Sequence, residues 1–309
     1  MSAPRSPAVS ATGLAKQFDG LDAVRDVSFT IPAGSTAALV GPADSGKTTV
    51  LSLLLGLSRP DSGTVALGGP ESGSGRAIGA MTQERGLCPA RTVRDEVRVF
   101  AAAAGVSDDR VDGLLALTRL DTVAGLRVRM LAPGLRTRVA LAIALLGDPA
   151  LLILDDPFAG LEPGERAWLL DYLRGHARRG GTTLYTSQSL AAALPAADQL
   201  IVLGAGSVVY QGSPRRLRRS HPDRLIVGAS SPIALATMLA ARGFTDAVMR
   251  PDGRLAVAEA SRLEIEAAAR DARVQLTELI PEPVHPDRVL ATLTRTAAPV
   301  MPTPYGAPR

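Results

Sequence analysis

Gly41-Pro42-Ala43-Asp44-Ser45-Gly46-Lys47-Thr48 is the stretch whose reading decides the fold. It fits G-x-x-x-x-G-K-[ST], and its surroundings suit that pattern. Ala37-Ala38-Leu39-Val40 reads as a short buried strand, and an apolar helix runs on from about Lys47 to Leu57. Such a turn aims successive backbone N–H groups inward, and the helix dipole adds partial positive charge, an arrangement that suits phosphate oxygens. Lys47 would reach the β and γ phosphates and the Thr48 hydroxyl would ligate Mg²⁺, with Pro42, Ala43, Ser45 and Thr49 among the phosphate-binding candidates. Asp44 stands in the turn; it tolerates positive φ better than most residues but brings a carboxylate near the phosphates. The plainer alternative is a glycine turn capping an ordinary helix. Against it, the chain has only two lysines, Lys16 and Lys47, and one falls where the pattern asks for a cation.

About a hundred residues on, Leu151-Leu152-Ile153-Leu154-Asp155 is an apolar run of strand length ending in a carboxylate. A strand covered on both faces reads this way, and its terminal Asp155 would lie at the sheet edge, able to hold Mg²⁺ through water. Further segments alternate in type. Helices are predicted over 93–104, 111–120 (after Ser107-Asp108-Asp109 as N-cap and acidic first turn), 135–146 and 163–178; strands are predicted over 182–186 and 200–203. Pro60-Asp61-Ser62-Gly63 reads as a turn. The sum is an α/β domain with a mostly parallel sheet over residues 11–220.

Past residue 220 the order is strand 224–229, helix 232–242, strand 246–249, the turn Pro251-Asp252-Gly253, strand 254–259, helix 262–272 and strand 273–280. That βαββαβ series is the ferredoxin-like split unit, with an extra helix over 286–295. It predicts a smaller α+β accessory domain over residues 221–296, with residues 1–10 and 297–309 as flexible tails. Arg215, Arg216, Arg218, Arg219 and Arg224 cluster at the junction, as a solvated face or a contact for acidic lipid headgroups.

Composition narrows the class. The 309 residues are 46% hydrophobic and 21% charged, against disorder or a disulfide-stapled miniature. Lysine plus arginine number 34 against 30 aspartates and glutamates, and a net +4 does not by itself call for a nucleic-acid partner. Cys88 is alone, which fits a reducing compartment, and reads as a small buried hydrophobe. The most apolar run, Val139 to Leu154, is broken by Gly147-Asp148-Pro149 and is too short to span a bilayer. Met1 to Arg5 lacks the apolar core of a secretory signal.

With these motifs in place, residues 11–215 resemble an ATP-binding cassette (ABC) ATPase, the motifs falling in the family's order. Gly13-Leu14-Ala15-Lys16-Gln17-Phe18 resembles the opening strand with the aromatic that stacks on adenine; otherwise Phe18 is a core aromatic. Met81-Thr82-Gln83-Glu84 resembles the Q-loop, implying that Gln83 touches Mg²⁺ or water while its loop faces the membrane partner. Leu131-Ala132-Pro133-Gly134-Leu135 occupies the signature region. Asp155 to Pro163 resembles Walker B plus D-loop, which makes Asp156 the catalytic candidate that orients water. Thr186-Ser187-Gln188-Ser189-Leu190 sits at the switch position, which makes Gln188 the candidate for contact with the γ-phosphate. The C-terminal pattern is similar to the domain that follows the cassette in daunorubicin-resistance-type exporters.

Departures from the family pattern carry their own chemistry. The signature serine is Ala132, without a hydroxyl, and the first glycine is Pro133, without an N–H, leaving Gly134 as the surviving contact. Each lost donor to a charged acceptor is worth about 1.5–3 kcal/mol. Asp156 replaces glutamate, one methylene and about 1.5 Å shorter, a misplacement on the scale that costs about a hundredfold in rate. Gln188 replaces histidine and carries no positive charge. The resemblance therefore implies a cytosolic ATP-binding subunit, an exporter ATPase using Mg-ATP slowly. Its partners would be an integral membrane subunit and a second cassette, homo- or heterodimeric, at the cytoplasmic face of the membrane. The alternative is a regulatory or structural cassette with little turnover; remodelling away from membranes ranks third, because soluble relatives of that kind usually carry two cassettes in one chain.

Overall fold

The computed structural model describes residues 7–68 and 78–295. The chain folds into two units, one running to Pro214 and taking up the chain again from Leu290, the other spanning Arg215–Val289.

In the first unit the strands are β1 (Pro7–Phe18), β2 (Leu21–Pro32), β3 (Thr36–Val40), β4 (Ser62–Leu67), β5 (Ile78–Met81), β6 (Leu151–Leu154), β7 (Thr182–Ser187), β8 (Gln199–Gly204) and β9 (Ser207–Gly212). The helices are α1 (Lys47–Leu54), α2 (Val93–Ala103), α3 (Asp108–Leu117), α4 (Pro133–Ala144), α5 (Pro163–Arg178) and α6 (Leu190–Ala193), and α7 (Pro214–Ser220) leads out of it. Six strands form one sheet in the order β5-β6-β7-β3-β8-β9, parallel except for the antiparallel edge pair β8–β9. Strands β3, β6 and β7 are buried at every residue, as central strands of a parallel sheet must be. A second, antiparallel sheet has the order β2-β1-β4. The core holds Val9, Leu14, Phe29 and Ile31 of that small sheet with Val50 and Leu54 of α1 and Leu39, Ile153 and Leu184 of the large one. That packing holds α1, and with it the turn before α1, firmly in place.

Local chemistry sets most boundaries. The Thr92 side chain accepts from the Asp95 N–H and starts α2, and Glu162 with Glu165 forms a capping box ahead of Pro163 in α5. Helix α1 stops at Leu54, three residues short of the predicted end, because the chain turns through Gly56 at φ 69°. Helix α3 starts at Asp108 and ends at Leu117, displaced from the predicted 111–120, with Ser107 at its N-cap. Residues 7–10, read from sequence as part of a frayed end, are the start of β1: Val9 pairs with Ile31 and with Leu67. The rest of the predicted tails, residues 1–6 and 297–309, lies outside the described residues. Ser62 and Gly63, read as turn, belong to β4. Cys88 is half-buried rather than enclosed, and its N–H donates to Glu96 Oε1 at 2.9 Å.

The second unit contains β10 (Arg224–Ala229), α8 (Pro232–Ala241), β11 (Ala247–Met249), β12 (Leu255–Ala258), α9 (Arg262–Asp271) and β13 (Leu276–Glu282); α10 (Pro286–Arg295) follows. Its strands form an antiparallel sheet in the order β11-β12-β10-β13. Leu235 and Leu239 of α8 and Ile265 and Ala268 of α9 pack with Val227 and Val257 in a separate core. Strand β13 starts at Leu276 rather than 273, since Arg273 takes φ 54°, outside strand geometry. Among the described residues no helix is long and apolar enough to cross a membrane.

Tyr185 in β7 is fully buried, its hydroxyl donates to Ala193 O at 2.6 Å, and its ring meets Phe158 edge-on at 5.5 Å. Tyr185→Phe keeps the ring contact and strands that carbonyl, so chemical denaturation should show a loss of about 1–3 kcal/mol.

Candidate functional site

The turn between β3 and α1 is dictated by what surrounds it. Gly41 N–H donates to Ser187 O at 3.2 Å, tying the turn to the end of β7. A Cβ on Gly41 would stand 2.4 Å from Ser45 Oγ and 2.5 Å from Leu203 O; one on Gly46, which has φ 95°, would stand 2.4 Å from Ala23 O. Both positions therefore exclude a side chain. Asp44 takes φ 58°, the left-handed conformation anticipated for it. Lys47 is 8% exposed and its ammonium folds back over the turn, donating to Gly41 O at 2.9 Å, Pro42 O at 2.6 Å and Ser45 Oγ at 3.3 Å. Burial pulls this ammonium below the ordinary lysine range, opposed by the carboxylates of Asp155, Asp156 and Asp44.

Because β5, β6, β7 and β3 are parallel neighbours, their C-terminal ends share one sheet edge. That edge gathers the 41–48 turn, Asp155 and Asp156 after β6, Gln83 after β5 and Gln188 after β7. Asp155 is buried, its N–H donates to Met81 O at 2.7 Å, and its Oδ1 accepts from the Thr186 hydroxyl at 2.5 Å. The same Thr186 oxygen accepts from Asp156 N–H at 2.8 Å, while Asp156 sits at φ 45°. One hydroxyl thus sets both acidic residues. Asp156 is half-buried, and burial together with the Asp155 charge pushes its carboxyl above the usual carboxylate range, against the pull of Arg85, Lys47 and Arg166.

Two of these neighbours, Thr186 and Arg85, are absent from the sequence-derived site. Thr186 opens the stretch read as the switch position, but its bonds to Asp155 and Asp156 were not legible there. Arg85 lies two residues past Gln83 and is half-buried; burial lowers its guanidinium while Asp156 and Asp155 raise it. With Arg129 and Arg136 it lines a cleft of about 560 Å³ that also includes Gln83, Pro133 and Gly160.

The remaining predicted residues fall as follows. Thr48, Gln83 and Gln188 have exposed side chains, and Thr49 is half-buried in the first turn of α1. Hydroxyl, amide and carboxylate oxygens at Thr48, Gln83 and Asp155 form a hard donor set that fits Mg²⁺. Phe18 is 49% exposed at the tip of the β1–β2 hairpin, opposite Leu21. Two residues beyond Leu21, Ala23 packs against Gly46, which links that hairpin to the turn. Gly134 is not gathered at the edge. It is buried in the first turn of α4, where a Cβ would stand 2.7 Å from Gly160 O and 2.9 Å from Glu165 Oε2. Its lack of a side chain is thus explained by packing within this chain. Helix α4 begins at Pro133 with Ala132 as an N-cap that makes no side-chain hydrogen bond.

The sequence matches the family described as ABC transporter over residues 24–159. It is 34% identical over 223 residues to the Nod factor export ATP-binding protein I of Bradyrhizobium diazoefficiens, covering 69% of this chain and 73% of that protein. The corresponding protein of Rhizobium johnstonii is 36% identical over 219 residues, covering 68% and 70%. A sulfate/thiosulfate import ATP-binding protein of Agrobacterium fabrum is 36% identical over 223 residues, covering 69% and 65%. Among solved structures, an ATP-binding subunit of an ABC transporter superposes with a TM-score of 0.62 at 25% identity, covering 69% of this chain and 93% of that one.

Asp156 gives a pH-dependent handle on the edge. Its carboxyl is harder to ionise folded than unfolded, so between the unfolded and folded values the folded chain holds the extra proton. Stability from this group therefore falls as pH rises through that window, and above it the full cost of a buried charge remains. Asp156→Asn should raise the melting temperature of nucleotide-free protein at pH 7.5, and the gain should shrink as the pH is lowered toward 4.

Proposed function

The chain belongs to the ABC transporter ATP-binding proteins, and on that premise we propose that it binds Mg-ATP at the 41–48 turn and turns it over slowly for an exporter. The observation that carries this is the buried Lys47 ammonium held in a turn whose Gly41 and Gly46 admit no side chain, at the same sheet edge as an Asp155 carboxylate set by Thr186. Lys47 and Thr48 would hold the β and γ phosphates and Mg²⁺, with Gln83 and Asp155 completing the oxygen set; Phe18 would stack on the base. When bound, Mg²⁺ supplies charge neutralisation at the phosphates. Asp156 would orient water, Gln188 would donate to the γ-phosphate, and the remaining turn residues Pro42, Ala43, Asp44, Ser45 and Thr49 would frame the triphosphate.

Slow turnover follows from the substitutions. Asp156 is short, and burial and Asp155 both disfavour its charged form, which a water-orienting base needs. Gln188 brings a donor without charge. Ala132 and Pro133 remove two donors from the start of α4. Both kinds of defect lie on one chain, so beside an intact partner each composite site would be impaired on one side, and in a homodimer on both. The export direction is supported by the Nod factor export relatives, although a sulfate/thiosulfate import protein is equally similar. On this reading the chain pairs with a second cassette and sits on the cytoplasmic face of the membrane through an integral membrane subunit. The βαββαβ unit, whose strand order fits the ferredoxin-like arrangement, would stabilise that pair.

A second reading, an ATP-operated switch with little hydrolysis, is favoured by the same Asp156 and Gln188. Phosphate release separates the two. Lys47→Ala should abolish magnesium-dependent ATP binding in calorimetry. Asp156→Glu combined with Gln188→His should raise turnover by about a hundredfold if geometry limits the reaction; an unchanged baseline with intact ATP binding would favour the switch.

A further inference from the structure

Phe18 does not stand alone at the hairpin tip. Lys16, two residues earlier on β1, places its Nζ 5.5 Å from the Phe18 ring centroid, across a register shift between Lys16 and Gln17. Lys16 is held there: its ammonium donates to Asp61 Oδ1 at 2.7 Å, and the other oxygen of Asp61 accepts from Gln17 N–H at 2.7 Å. Asp61 N–H in turn donates to Ala15 O at 2.9 Å, and Gln17 Nε2 donates to Asp22 Oδ1 at 2.6 Å across the hairpin. The lysine side chain is only 17% exposed, while about half of the Phe18 side chain is open. Lys16, the first of the chain's two lysines, is thus fixed by a carboxylate over one face of an exposed ring.

We propose that Lys16, anchored by Asp61, is a positioning residue for nucleobase recognition: it holds Phe18 with one face covered by an ammonium and the other free to receive a purine. This rests on the ATP reading above and assigns a role outside the phosphate machinery. The ring's negative face attracts the ammonium, which restricts the ring to one orientation and lowers the ordering cost of stacking. The same cation withdraws π-electron density, so a purine packs on the opposite face of an electron-poorer ring.

The test uses the full-length chain and two probes, Mg-ATP and inorganic tripolyphosphate with Mg²⁺, the second carrying the charge without the base. Lys16→Met keeps the aliphatic stem and should weaken ATP binding about three- to fivefold while leaving tripolyphosphate binding unchanged. Lys16→Arg should retain ATP affinity, and Lys16→Met should add nothing in a Phe18→Leu background. Asp61→Asn, which keeps the ammonium but loosens its anchor, should give a smaller loss and guards against misfolding of the first variant. Equal weakening toward both probes, additivity with Phe18→Leu, or no change in ATP affinity would overturn the proposal. If Phe18→Leu itself leaves ATP affinity unchanged, the stacking reading falls as well. If the unaltered chain binds no Mg-ATP, the functional reading falls with it.

Discussion

A lysine ammonium under cover of protein is the constraint from which the rest of the first unit can be worked out. Taking such a charge out of water is costly unless polar groups meet it, and Lys47 finds two carbonyls and a hydroxyl of its own turn. Those carbonyls point at it only because the backbone curls tightly, and the curl is possible only because Gly41 and Gly46 lack side chains. Gly41 and Gly46 are in turn hemmed in by Leu203 at the end of β8 and Ala23 of the small sheet. The turn is therefore a joint product of both sheets and of α1 between them.

Around that ammonium the charges are arranged in opposition. Asp155 and Asp156 are sequence neighbours that repel each other, yet both are bonded to the Thr186 hydroxyl, and Lys47 and Arg85 offset their charge. Thr186 holds the pair by donating to one residue and accepting from the backbone of the other through a single oxygen, as a hydroxyl can. By contrast, the start of α4 has been stripped of donors at Ala132 and Pro133, and its Gly134 answers to packing against Gly160.

Much of this was legible beforehand where local chemistry is strong. The 41–48 turn, the wholly buried β6, the Pro163 start of α5 and the element order of the second unit all follow from short-range pattern. The small sheet was mostly missed. Register shifts after Pro7, Ala11, Leu14 and Lys16 break the alternation by which β1 would be recognised; β2 is irregular only up to Asp26, and its Val27–Pro32 half alternates buried and exposed strictly, a strand signal present in the sequence. Strand β5 is four residues with Gly79 inside, too short and too weak in propensity to stand out, and its evidence is its pairing with β6.

By itself the sequence determined the turn, its cation, the apolar strand that ends in a carboxylate, and the family to which these point, since each depends on residues close together along the chain. Only the tertiary structure decided which distant groups meet: Thr186 with Asp155, 31 residues apart, Asp61 with Lys16, 45 apart, and Arg85 facing Asp156. The reason is physical. Backbone sterics and capping act within a few residues, whereas these meetings depend on strand order and register, which burial of the whole core selects.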